Sequence, residues 1–162
     1  MRKLIYVLVA IVALGTASCS KSMSQYDKEI DQAEKMMLSN PDSALSMLDA
    51  IDASELKIDS LWAKYHFIKG YGHLKRNRSM IGDSLIIYAH DYYRGKNLVR
   101  DIRSGIVLAW YKFWVGDTPG AMTMLDSLAG LPDVPDSLMT QTLRIRVMLG
   151  ASEYQGQQLI PY

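Results

Sequence analysis

SGIVLAWYKFWVGDTPGAMTMLDSL, residues 104–128, decides how this chain folds. Two apolar segments flank Gly116-Asp117-Thr118-Pro119. A glycine at the end of an apolar helix supplies the left-handed residue that stops it. Asp117 or Thr118 then caps a second helix, with Pro119 in its first turn, where no N–H is required. The spacing predicts two helices joined by a tight turn. Residues 44–51, ALSMLDAI, echo residues 121–128, AMTMLDSL, and Asp59-Ser60-Leu61 echoes Asp136-Ser137-Leu138. Ala44 to Ala121 and Asp59 to Asp136 are the same step of 77 residues. One offset held across two separate blocks marks an internal repeat, and a repeat of helix pairs implies stacked hairpins.

Outward from that stretch, the apolar spacing predicts seven helices. The first runs from Tyr26 to Leu38, with Tyr26, Ile30, Ala33 and Met37 on one face. Asn40 caps the second, whose first position is Pro41 and whose buried residues are Ala44, Leu45, Leu48 and Ile51. The third, Asp59 to Leu74, carries Leu61, Tyr65, Ile68 and Gly72 on one side. Gly70 and Gly72 inside it cost roughly 1 kcal/mol each in helix propensity, tolerated where a neighbouring helix comes close. A basic, polar loop from Lys75 to Gly82 precedes a fourth helix, Asp83 to Arg94, with a stripe of Leu85, Tyr88, Ala89 and Tyr92. The fifth, Leu98 to Val115, is apolar nearly all round from Ile106 onward, so it belongs at the centre of the stack. The sixth is Thr118 to Ala129, and the seventh starts at Asp136 with Leu138, Thr142, Ile145 and Leu149 in register. Beyond Gly150 the pattern fades into a short, poor eighth helix, so an apolar face is left open at that end.

The N-terminus speaks to location. Arg2 and Lys3, an apolar run from Leu4 to Leu14, and the small residues Gly15-Thr16-Ala17-Ser18 follow the three-part plan of a secretory signal peptide. That run is short of the roughly 20 residues a membrane span needs. Cys19, the one cysteine of 162 residues, comes next, so no intramolecular disulfide is possible. The stretch Leu14–Cys19 resembles the lipobox of bacterial lipoproteins. That resemblance implies acylation of Cys19 with palmitate-type chains, residues 1–18 as the removed signal and residues 19–25 as the lipidated end and tether. More than one acyl chain is what stable anchoring requires. Ser20 is not the aspartate of an inner-membrane retention signal, and Ser20–Ser24 lacks the acidic cluster of surface-displayed Bacteroidota lipoproteins. The resemblance therefore implies an outer-membrane lipoprotein facing the periplasm.

Residues 26–162 resemble tetratricopeptide repeats, whose unit is a helix-turn-helix of about 34 residues. Ala109, Gly116-Asp117 and Ala121 fall at the small, turn and small positions of one unit, and Asn40–Ile51 with Ala44 fits half of another. Leu85 takes the small position of the middle unit, and half of the 77-residue offset, about 38, exceeds the ideal unit. Openings such as Pro41-Asp42-Ser43-Ala44-Leu45 are similar to those of anchored repeat proteins of Bacteroidota. The fold expected is all-α, an α-solenoid of three to four antiparallel, TPR-like hairpins.

No chemical motif stands out. Net charge is +1, and about −1 once Arg2 and Lys3 leave with the signal, so a phosphate backbone finds no basic excess and nucleic acid is not expected. His66 and His73 lie two turns apart with no carboxylate or cysteine spaced to complete a metal site, and they and His90 read as helix-surface residues. The sequence offers no HExxH, CxxC, GxSxG, P-loop or GxGxxG pattern. Four of the five Asp-Ser pairs fall at helix starts, where both residues serve as caps and dipole partners. Tyr92, Tyr93, Trp110, Tyr111, Phe113 and Trp114 read first as core between hairpins, and second as lining for a peptide groove. The reading that follows is a membrane-anchored scaffold that binds a protein or peptide, with no catalytic residues, cofactor or small-molecule substrate. Its rivals are the sensor half of a signalling protein and an accessory lipoprotein of outer-membrane assembly or uptake.

Overall fold

The computed structural model describes residues 21–158, with side chains through residue 152. Among these residues the chain is all-helical and has no strand. The helices are α1 (Met23–Met36), α2 (Pro41–Asp49), α3 (Asp59–Lys75), α4 (Leu85–Tyr93), α5 (Leu98–Trp114), α6 (Thr118–Ala129) and α7 (Asp136–Gln158), with one 3-10 turn at Ala53–Glu55.

Local chemistry sets the boundaries. α1 starts three residues before the expected Tyr26, because Ser22 and Gln25 form a capping box. The Ser22 hydroxyl accepts from the Gln25 N–H at 3.3 Å, and the Gln25 carbonyl oxygen accepts from the Ser22 N–H at 2.8 Å. The polar tether is shortened accordingly. Asn40 accepts from Ser43 N–H, Asn97 from Arg100 N–H and Asp117 from Gly120 N–H, at 2.9–3.2 Å. Of the two roles expected for the Asp-Ser pairs, capping is not seen but the dipole role is: Asp42, Asp59 and Asp136 occupy first turns, where their charge meets the positive end of the helix dipole. Asp83 lies before α4 and bonds the His73 ring at 2.7 Å. Between α5 and α6 the chain reverses at Gly116, whose φ of +88° suits a residue without Cβ.

Helices consecutive in sequence pack together, and α1, α3, α5 and α7 also pack in series, each on the next. α2, α4 and α6 each lie against the two odd-numbered helices that flank them. The result is two layers around one core. α5 is its centre, touching α3, α4, α6 and α7, with every residue from Ser104 to Trp110 buried. Tyr26, Ile30 and Ala33 of α1 and Met37 at its C-cap are buried as the spacing predicts, as are Ala44, Leu45, Leu48 and Ile51. Gly72 brings α3 against α2: a Cβ there would stand 2.7 Å from a methyl of Leu45.

The 77-residue step is structural as well as textual. Ala44 and Ala121 are wholly buried, as are Leu48 and Leu125. Asn40 and Asp117, 77 apart, are both N-caps, and Asp59 and Asp136 are both first residues of odd-numbered helices. Ser46 and Thr123 each return a hydroxyl bond to the carbonyl four residues before them, at 3.0 and 2.9 Å. The ion pair Asp49–Lys69, at 2.8 Å, recurs as Asp126–Arg146. Exposed pairs of this kind contribute about 0–1 kcal/mol, so they report the register rather than create it.

Three expectations are corrected. α4 buries Ile86, Ala89 and His90, while Leu85 and Tyr88 are 41% and 36% exposed. The loop after α3 is not wholly polar, since Met80 is fully buried, its methyl packed beside Gly70. α7 continues unbroken through Gly150 to Gln158, with no eighth helix among the described residues.

Candidate functional site

Phe67 and Tyr71 stand one turn apart on α3, rings stacked with centroids 6.1 Å apart. They form the floor of a groove of about 320 Å³ between α1, α3 and α5. Asp31, Glu34 and Lys35 of α1 make one wall, and Arg103 of α5 makes the other. Arg100 pairs with Glu34 at 2.7 Å, and its guanidinium carbon lies 5.2 Å from the Phe67 ring centroid and 5.9 Å from that of Tyr93. Burial opposes the charge of Arg100, but the bonded Glu34 outweighs it and holds the guanidinium above its usual value. Lys64 reaches both Asp27, at 2.6 Å, and Asp31, at 2.5 Å. Burial likewise opposes its charge, and the two carboxylates again raise it. The acids of α1 on this side are thus engaged. Arg103 forms no ion pair among the described residues, and its Nε is buried without a hydrogen-bond partner.

A second groove, of about 480 Å³, lies between the C-terminal end of α3 and α7. Leu74, Ile145 and Met148 supply its apolar surface, and Lys75, Asn77 and Arg144 stand among its polar walls. Lys75 Nζ sits 5.3 Å from the Tyr71 ring centroid, so the two grooves adjoin along α3. The Trp110 indole N–H donates to the Arg78 carbonyl at 3.3 Å and ties the loop beyond α3 to α5. Every residue lining either groove belongs to an odd-numbered helix or to the few positions just after one. This face is the candidate site, and its geometry suits recognition of an extended ligand by shape and charge.

The aromatic cluster of α5 packs rather than lines a groove. Trp110 is buried, stacks on Phe113 at 5.6 Å and meets Trp114 edge-on at 5.9 Å. Of the three histidines, His66 and His73 are half-buried, and His90 is not a surface residue at all. His90 is buried, with Nδ1 3.1 Å from the Ser104 hydroxyl and 3.9 Å from the Asp101 carboxylate. Both partners meet the same ring nitrogen, and Ser104 is fully buried, so the trio ties α4 to α5 without the geometry of a proton relay. Burial pushes the His90 pKa down. Among the described residues, no three His, Cys, Asp or Glu side chains converge as metal ligands, and no helix is long and apolar enough to cross a membrane. Cys19, the expected lipidation site, lies outside the described residues.

His66 has a measurable consequence. Its ring is wedged edge-on against Trp62 and Tyr65, at 4.4 and 5.0 Å, and Nε2 is buried without a partner. Burial and, less strongly, Lys69 lower its pKa to about 4, against a small opposing pull from Asp83. A depressed folded-state value means that the unfolded chain takes up a proton the folded one refuses. The stabilisation is complete above about pH 6.5 and is lost as pH falls towards 4. After discounting for solvent screening of a half-buried ring, about 1–2 kcal/mol should disappear across that window. Urea titrations of wild type and His66→Gln across that range should show a shallower acid limb in the variant. Parallel limbs would remove His66 from the account.

No protein-family model, no curated protein and no solved structure matches this chain.

Proposed function

We propose that this chain is a lipid-anchored helical-repeat scaffold of the bacterial cell envelope, tethered through Cys19 at the outer membrane and facing the periplasm. In this reading the helices form a TPR-like α-solenoid. A protein or peptide partner binds the odd-numbered face, and no cofactor or bond-making step is involved. The observation that carries the solenoid is the 77-residue recurrence of caps, helix starts and the Asp49–Lys69 ion pair, together with packing confined to near neighbours in sequence. Support for the anchor is the run from Arg2 through Leu14 to Cys19.

The anchor is tested by metabolic labelling with an alkyne fatty acid in a bacterial host that acylates lipoproteins. Wild type should take up the label and sediment with membranes. Cys19→Ala should lose all label and move to the soluble fraction. Equal labelling, or equal fractionation, of the two forms would end the lipoprotein proposal.

A second reading, the repeat half of a larger regulatory protein, has one observation in its favour. Val147 is the 77-residue equivalent of Gly70, against which α4 packs through Ile86, yet Val147 is 69% exposed and its neighbour Leu143 is 46% exposed. A further helix at that position would complete the pattern.

A further inference from the structure

The chain as a whole is close to neutral, with 18 Lys and Arg against 17 Asp and Glu, so any local excess of one sign is a matter of placement. On the odd-numbered face the placement is uneven. Asp31 and Glu34 are the carboxylates that line the two grooves, and Lys64 and Arg100 already hold them. Four cations on the same face make no ion pair among the described residues: Lys35 and Arg103 at the first groove, Lys75 and Arg144 at the second. Cationic walls over low-dielectric, apolar floors concentrate a positive potential there. Arg103 adds a directional element, because its side chain lines the first groove and has no ion-pair partner among the described residues, leaving a planar guanidinium to meet a carboxylate.

We infer that this face takes an acidic peptide segment: a carboxylate against Arg103, an aromatic or aliphatic side chain over Tyr71, whose ring the buried Phe67 backs, and further carboxylates towards Lys75 and Arg144. The inference rests on the scaffold reading and gives its partner a chemistry. A nucleic acid fits less well on the apolar side of the site. The second groove's floor of Leu74, Ile145 and Met148 asks for apolar side chains, which a sugar-phosphate chain does not carry.

The test pans a random short-peptide display library against the full-length protein in detergent. Enriched peptides are then titrated by fluorescence anisotropy against wild type and the triple variant Lys75→Gln/Arg103→Gln/Arg144→Gln. All three positions lie at the surface of a groove, and circular dichroism is the check that the variant is folded. The enriched set should be rich in Asp and Glu with at least one aromatic or aliphatic residue. Binding should weaken about tenfold or more in the triple variant, and several-fold on raising salt. Enrichment of neutral or basic peptides, or acidic peptides that bind the variant equally well, would overturn the groove assignment and leave the scaffold reading standing. No enrichment over blank resin would sink both. Displacement of the peptide by an oligonucleotide that binds more tightly would reassign the face to polyanions in general.

Discussion

Phe67→Ala is expected to lower the free energy of unfolding by about 3–5 kcal/mol, the range for emptying a buried aromatic site that cannot collapse. Phe67 is wholly buried, and three helices converge on it. Its ring stacks on Tyr71 of the same helix, meets Tyr93 at the end of α4 edge-on at 5.9 Å, and lies beneath the guanidinium of Arg100 on α5. Arg100 in turn holds Glu34 of α1. Removing the ring therefore opens a void and also takes the support from the ion pair that joins α1 to α5 across α3. A domain of this size has a stability of about 5–15 kcal/mol, so the loss is a large share of the total. Urea unfolding should show a lower midpoint with an unchanged slope, and Phe67→Leu should retain most of the stability because it keeps most of the volume. A loss under about 1 kcal/mol for the alanine variant would mean that the α1–α3–α5 junction is not the core contact described here.

How much of this was legible in the sequence depends on whether the signal was local. The turn at Gly116-Asp117 was, because a left-handed glycine and a capping aspartate are fixed by their own backbone. The all-helical class and the central place of α5 followed from the length and apolarity of residues 98–114. The 77-residue step was visible as Ala44/Ala121 and Asp59/Asp136, but the ion pairs at the same step were not, because Lys69 and Arg146 are different residue types. The buried face of α4 is not legible in the sequence, for a physical reason. Leu85-Ile86-Ile87-Tyr88-Ala89 is apolar on all sides, so periodicity cannot choose the buried face. The cap at Ser22 was missed although Ser-x-x-Gln is a readable signature. The grooves were out of reach. Lys35, Lys75, Arg103 and Arg144 lie on four different helices and share a face only through tertiary packing, while the α5 aromatics that drew attention in the sequence went to the core.

Gly105→Leu is expected to be as damaging as the loss of Phe67, by the opposite mechanism. A Cβ at residue 105 would lie 2.8 and 2.9 Å from the two Leu128 methyls of α6 and 3.3 Å from the His90 ring of α4. Leu128 and His90 are themselves buried, so neither has free space to move into. Alanine here gains up to about 1 kcal/mol in helix propensity. It loses about 1–3 kcal/mol to overpacking, so Gly105→Ala should be mildly destabilising. Leucine adds further atoms into the same contact, and forcing α6 off α5 should cost roughly 3 kcal/mol or more. A second substitution separates this mechanism from a simple loss of native structure. Leu128→Ala alone should cost about 2–5 kcal/mol by opening a cavity. In the double variant the new leucine fills that cavity, so the combined loss should fall short of the sum by about 1–3 kcal/mol. Thermal or urea unfolding of the four proteins completes the cycle. Strictly additive losses would show that residues 105 and 128 are not in contact, and the packing of α5 against α6 would have to be redrawn.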